Sequence, residues 1–153
     1  MELIEPLASQ VDWAARSIAH NLEFISEDKL AWKPAPTANS ALEVVNLGVG
    51  ALRVMAVVLR GEADQLPEIV PATAATAATA GALLLDAARD CAAAIRALQP
   101  DQMNQTAETP FGPFRRARIA LFPLVDLLHR HGQILYIQTL LGDTADHFVA
   151  LEP

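Results

Sequence analysis

The sequence predicts an all-α fold, a single domain of four long helices with a long irregular connection between the second and third. Three observations carry this. Apolar side chains recur at spacings of three and four in separate segments, the amphipathic-helix signature. The core material is aliphatic, with 52% of residues hydrophobic and only 5% aromatic, which suits packed helices. No hairpin dipeptide stands between alternating apolar runs, so no β signal competes. At 153 residues the chain reads as one domain over 1–153, long enough to bury roughly two-thirds of its unfolded surface.

The first helix is expected over residues 3 to 25, where Ile4, Leu7, Val11, Ala14, Ile18, Leu22 and Ile25 form one stripe. Pro6 is tolerated near a first turn. His20 lies off the stripe and reads as a surface or boundary residue. From Ser26 the pattern breaks. SEDKLAW allows a short helical turn, and WKPAP is extended because proline biases the residue before it away from the helix. Trp32 is expected to lay its ring over the end of the bundle.

Ser40 and Glu43 form a capping box that starts the second helix, and Gly61 stops it after Arg60. The polar residues Glu43, Asn46, Arg53 and Arg60 occupy one narrow stripe, and the rest is apolar or glycine. A helix apolar over most of its circumference is buried on more than one side. Either a loop or a second subunit must cover it. Leu47, Ala51, Val54 and Val58, lying beyond the stripe of Val45, Leu52 and Leu59, therefore predict a homodimer.

Residues 62 to 71 are a connection with two prolines. The Ala/Thr tract 71 to 79 fits either a loop or the first turns of a helix. The third helix is clear from about Gly81 to Leu98 and must end before Pro100. Cys91 lies among its alanines and reads as a buried, inert thiol. As the single cysteine, it excludes an intrachain disulfide and fits a reducing compartment. Residues 99 to 114 are turn-rich. The last helix should begin near Phe114 or Arg115 and run to Leu141, with Gly142 past its end. Pro123 inside it removes a donor and crowds the carbonyl of Ile119, so a kink or a restart around Phe122 is expected. The short tail gives His147 too little context for a role.

The formal charge is −7, and only Arg115, Arg116 and Arg118 cluster. Nucleic-acid binding needs a concentrated basic footprint and is not expected. Glu2 and Glu5 occupy the place of a basic leader region, and no uncharged apolar run reaches a membrane span. The expectation is a soluble, cytoplasmic protein.

The most informative stretch is Asp126 to Gly142. On a helix, Asp126, His129, Arg130 and Gln133 share one stripe that Ile137 and Leu140 continue, while Leu127, Leu128, His131, Ile134 and Leu135 fall mostly on the opposite, apolar side. His131 is accordingly read as structural. A metal site needs three or four donors in one space. Asp126 with His129, or with Gln133, offers two; His129 and His131 point about 200° apart on a regular helix. Asp126 and Arg130 are an acid-first i, i+4 pair. Phosphate-loop glycines, paired CxxC motifs and HExxH are absent.

Three segments carry a resemblance. NLEFISEDKLAWKPAP with NSALEVVNLGVG, TPFGPF before the last helix, and HRHGQILYIQTLLGD at its end resemble, in order and spacing, the DinB-like superfamily of bacterial four-helix bundles. Nearly the whole chain is covered. The resemblance implies kinship with metal-dependent enzymes: thiol transferases using bacillithiol, mycothiol or glutathione, isomerases and hydrolases. These hold a divalent ion through three histidines, one on the second helix and two on the last. Aligning the motifs places Leu47, Asp126 and Arg130 at those positions, and none is histidine.

The resemblance therefore implies a DinB-like protein that has lost its metal triad and carries no cofactor. A vestigial pocket would be formed by Leu47, Asp126, His129, Arg130 and Gln133. It would bind a small molecule or a partner, or the chain would serve as a dimeric scaffold. An Asp126–Arg130 salt bridge, helped by Gln133 or His129, is expected in the ion's former seat. The alternative is a metal-dependent thiol transferase or hydrolase holding nickel or zinc through Asp126 and His129.

Overall fold

The structure, a computed structural model, describes residues 3–62 and 66–150. Four helices form the bundle: α1 (Ile4–Leu22), α2 (Ala41–Arg60), α3 (Ala77–Arg96) and α4 (Arg116–Leu140). The main helix pairings are α1 with α3 and α4, and α2 with α3 and α4. The core between them is aliphatic, with Ile18, Leu22, Leu52, Leu84, Ile95, Ile119, Leu127 and Ile134 fully buried.

The helix ends follow local chemistry. Ser40 accepts from the Glu43 amide while the Glu43 carboxylate accepts from the Ser40 amide, so two orphan donors are satisfied reciprocally. Gly61 ends α2 at φ 71°, a left-handed conformation that glycine adopts without a Cβ penalty. α1 stops at Leu22 rather than Ile25, although Ile25 is still buried. A single 3₁₀ turn at Glu27–Lys29 follows, and Trp32 is half-buried against the core.

The Ala/Thr tract divides. Residues 71–75 are non-helical, and Thr76 caps α3, its hydroxyl and that of Thr79 each accepting the other's amide. Threonine at the third position replaces the usual Glu or Gln.

A short antiparallel hairpin, β1 (Thr106–Thr109) with β2 (Gly112–Arg115), precedes α4. It corrects the expectation of no β structure. Its turn is Pro110-Phe111, not an Asn-Gly type. The buried Thr109 hydroxyl ties the turn, accepting from the Phe111 amide at 3.1 Å and donating to the Gly112 carbonyl at 2.8 Å. Gly112 has φ 101° at the exit. α4 is continuous through Pro123, without a restart. Pro123 is itself buried, so packing holds the helix where a donor is missing.

The cover over α2 comes from its own chain. Asn46 brackets the connection between α2 and α3: its side-chain amide donates to the Ala74 carbonyl at 3.0 Å, its side-chain oxygen accepts from the Ala74 amide at 3.2 Å, and its backbone carbonyl accepts from the Ala72 amide at 2.9 Å. The Val70 carbonyl presses on Gly50, where a Cβ would have no room. Val54 and Val58 are buried within the protomer and Leu47 and Ala51 half-buried, so the helix face that predicted a homodimer is largely covered by the chain's own elements. α2 is also long and apolar enough by length and composition to cross a membrane, although Glu43, Arg53 and Arg60 leave it without an uncharged run of that length. Its burial within the bundle accounts for that composition.

Candidate functional site

A cavity of about 490 Å³ lies between α2, α4 and the hairpin, within the range of small-molecule sites. Leu47, Ala51, Leu52 and Met55 come from α2 and Ile69 from the connection. Phe111 comes from the hairpin, and Phe122, Pro123, Val125, Asp126, His129 and Arg130 from α4. The wall is apolar except at one end, where Asp126, His129 and Arg130 converge.

Arg130 organises that end. Its Nε donates to Asp126 Oδ2 at 2.7 Å and its Nη2 to Asp126 Oδ1 at 3.0 Å, a two-point contact matching the planar guanidinium to the carboxylate. Nη1 donates to the Val44 carbonyl on α2 at 3.0 Å. The guanidinium thus links α4 to α2 rather than lying on a wet face, and its side chain is only 14% exposed. Gly48 makes the passage: a Cβ there would stand 2.8 Å from Arg130 Cδ.

The other residues on this stripe behave differently. His129 and Gln133 pair with each other through their Nε2 atoms at 3.2 Å. They do not support the Asp126–Arg130 pair, whose third partner is backbone. Gln133 does not line the cavity. Leu47 does, alongside Arg130 and Asp126, so the three residues expected from the resemblance at metal-ligand positions share one space.

His131 lies on the other side of α4, half-buried against α1. Its Nε2 is 3.3 Å from the Asn21 amide nitrogen, and burial holds its pKa below the ordinary value. Leu127 beside it is buried, but Leu128 and Leu135 are exposed, which corrects the apolar side assumed from sequence. The tail returns here. The Asn21 side chain donates to the His147 carbonyl at 3.3 Å, and His147 stacks on Phe24 with ring centroids 3.5 Å apart. His147 Nε2 lies 2.8 Å from Asp143, and His20 meets the edge of Phe24. Composition gave no signal for this cluster, because it joins residues from both ends of the chain.

Cys91 is fully buried and its thiol is pushed up to about 12 by burial, which leaves no thiolate for nucleophilic work. A larger groove of about 790 Å³ runs between α1 and α3. Its rim is already ion-paired, Arg96 bridging Glu5 and Asp12. Among the described residues, no three His, Cys, Asp or Glu side chains gather as a metal cluster would require.

The family model described as the DinB superfamily matches residues 10–134. Among solved structures, the chain is similar to a DinB-like protein from Bacillus subtilis, with a TM-score of 0.71 and 16% identity, covering 92% of this chain and 94% of that one. A DinB-like protein from Bacillus cereus aligns with a TM-score of 0.64 and 14% identity, covering 85% and 87%. At such identities the likeness is one of fold. No curated protein matches.

Proposed function

This chain belongs to the DinB superfamily, and from that premise we propose that it is a metal-free member which binds a small, mainly apolar molecule in the cavity between α2 and α4. One observation carries the reading: the Arg130 guanidinium is fixed by Asp126 and the Val44 carbonyl beside Leu47. The three positions expected to ligate an ion thus supply an alkyl group, a carboxylate already committed to arginine, and a permanent cation. These residues do not fit a divalent metal. The apolar wall suits a hydrophobic ligand, and Arg130 and His129 at its polar end suit an acceptor group on that ligand.

The alternative, a metal-dependent transferase or hydrolase, would recruit Asp126 and His129. Asp126 would have to release both of its oxygens from Arg130, and His129 would have to leave Gln133.

The test uses 1-anilinonaphthalene-8-sulfonate as probe, together with metal analysis of untagged protein. Saturable 1:1 enhancement of probe fluorescence is expected, and Ala51→Trp should abolish it by filling the cavity without loss of helicity. Equal binding by Ala51→Trp would overturn the assignment of the cavity. Stoichiometric nickel or zinc in the wild type, lost in Asp126→Asn or His129→Ala, would overturn the metal-free reading.

A further inference from the structure

At the polar end of the cavity between α2 and α4, two charges cancel. Arg130 brings a permanent cation, and Asp126 brings the carboxylate that grips it at two points. Neither charge stands alone for a ligand to answer. Elsewhere the wall is hydrocarbon and aromatic, supplied by Leu47, Ala51, Leu52, Met55, Phe111 and Phe122.

Hydrogen-bond donors are left over at that end. A guanidinium carries one hydrogen on Nε and two on each terminal nitrogen, and it accepts nothing. The bonds to Asp126 Oδ2, Asp126 Oδ1 and the Val44 carbonyl use the Nε hydrogen, one on Nη2 and one on Nη1. One hydrogen remains on each terminal nitrogen, and among the described residues no other acceptor takes them. A molecule that displaces water from the cavity must replace the bonds those donors make to water, or leave them unmade.

We propose, on the basis that this cavity is a ligand site, that its ligand is an uncharged apolar molecule carrying a carbonyl group, a ketone or an ester, whose oxygen accepts from Arg130. Each competing head group meets a specific obstacle. A carboxylate would come to lie beside Asp126. Because Arg130 already neutralises Asp126, one negative charge would then be left over against an apolar wall. The chain's formal charge of −7 adds repulsion at long range. An ammonium would meet the Arg130 cation, and Asp126 has both oxygens engaged. A plain hydrocarbon would strand the two remaining donors. A carbonyl oxygen has two lone pairs and no charge, so it answers both donors and leaves the ion pair intact. Asp126 thereby sets specificity: it turns an arginine, ordinarily a receptor for carboxylate and phosphate, into a donor for neutral acceptors.

The test measures displacement of N-phenyl-1-naphthylamine, an uncharged probe, near neutral pH by methyl octanoate, octanoate and octylammonium. The ester should bind the wild type most tightly. Any apolar pocket favours the ester to some degree, so the decisive quantity is the change in selectivity in Asp126→Asn. There Arg130 regains a net charge, and octanoate should gain about tenfold or more while the ester changes little. Circular dichroism checks that this variant folds. Independently of it, the stretch of a carbon-13 ester carbonyl should move to lower wavenumber on binding the wild type and lose that shift in Arg130→Met. Octanoate binding the wild type as tightly as the ester, unchanged selectivity in a folded Asp126→Asn protein, or an unshifted carbonyl stretch would each overturn the uncharged-ligand assignment and leave the cavity reading standing. No binding by the probe or by any of the three molecules would overturn the cavity reading, and this assignment with it.

Discussion

Arg130 Cδ lies 2.8 Å from where a Cβ on Gly48 would stand, so the glycine in the middle of α2 and the arginine in the middle of α4 depend on each other. Glycine in a helix interior costs about 1 kcal/mol relative to alanine. Here that cost makes room for a side chain that crosses to the Val44 carbonyl.

Gly48→Ala should accordingly destabilise the protein by about 1 kcal/mol despite the better helix propensity, because the overlap falls in the stem of a pinned side chain. In an Arg130→Ala background the same change should become stabilising. Denaturant midpoints for the four variants give the coupling directly. Additive effects would mean that Arg130 relaxes freely and is not held as described.

Arg130→Met removes all three donated hydrogen bonds while keeping most of the side-chain volume. Asp126 is 31% exposed and can recover water, so the loss should be about 1–3 kcal/mol rather than the larger figure for a dry pair. A change below a few tenths in urea unfolding would place the pair on a wet face.

Gly50→Ala tests the cover over α2. A Cβ there meets the Val70 carbonyl and the Pro71 nitrogen, backbone atoms that cannot rotate aside. The connection should lift, costing about 1–3 kcal/mol. It should also become sensitive to limited proteolysis between residues 66 and 75. Wild-type resistance would show that the loop accommodates the methyl group.

His131 should make stability depend on pH as pH falls through 6.5. Burial lowers its pKa from 6.5, so the unfolded chain binds the proton first. Its contribution is absent well above pH 6.5, and stability falls as pH drops through and below that value. Protonation would also turn the acceptor facing the Asn21 amide into a donor. His131→Gln should flatten the slope in chemical denaturation. An unchanged slope would show that burial of His131 is not its source.

Three histidines at the aligned positions form the constructive test. Leu47→His, Asp126→His and Arg130→His together should create nickel or zinc binding measurable by calorimetry. A folded triple variant without metal uptake would show that these positions do not correspond to the family's ligands.

The four helices were legible in sequence because burial along a helix is periodic and its ends are set by neighbours three or four residues away. Ser40 with Glu43, and Gly61, are complete local instructions. The Asp126–Arg130 pair was legible for the same reason, being four apart on one helix. The hairpin was not, because the Thr109 hydroxyl and Gly112 shape a Pro-Phe turn that has no dipeptide signature. Nor could sequence decide what covers α2, since Asn46 and Ala74 meet across a connection whose path only the packed bundle fixes. The apolar residues of α4 show the division most clearly. Leu127 and Leu128 are adjacent and chemically identical, yet one is fully buried and the other exposed. Sequence placed both on one apolar side of that helix, and the docking of α1 and α2 separated them, burying Leu127 and leaving Leu128 free.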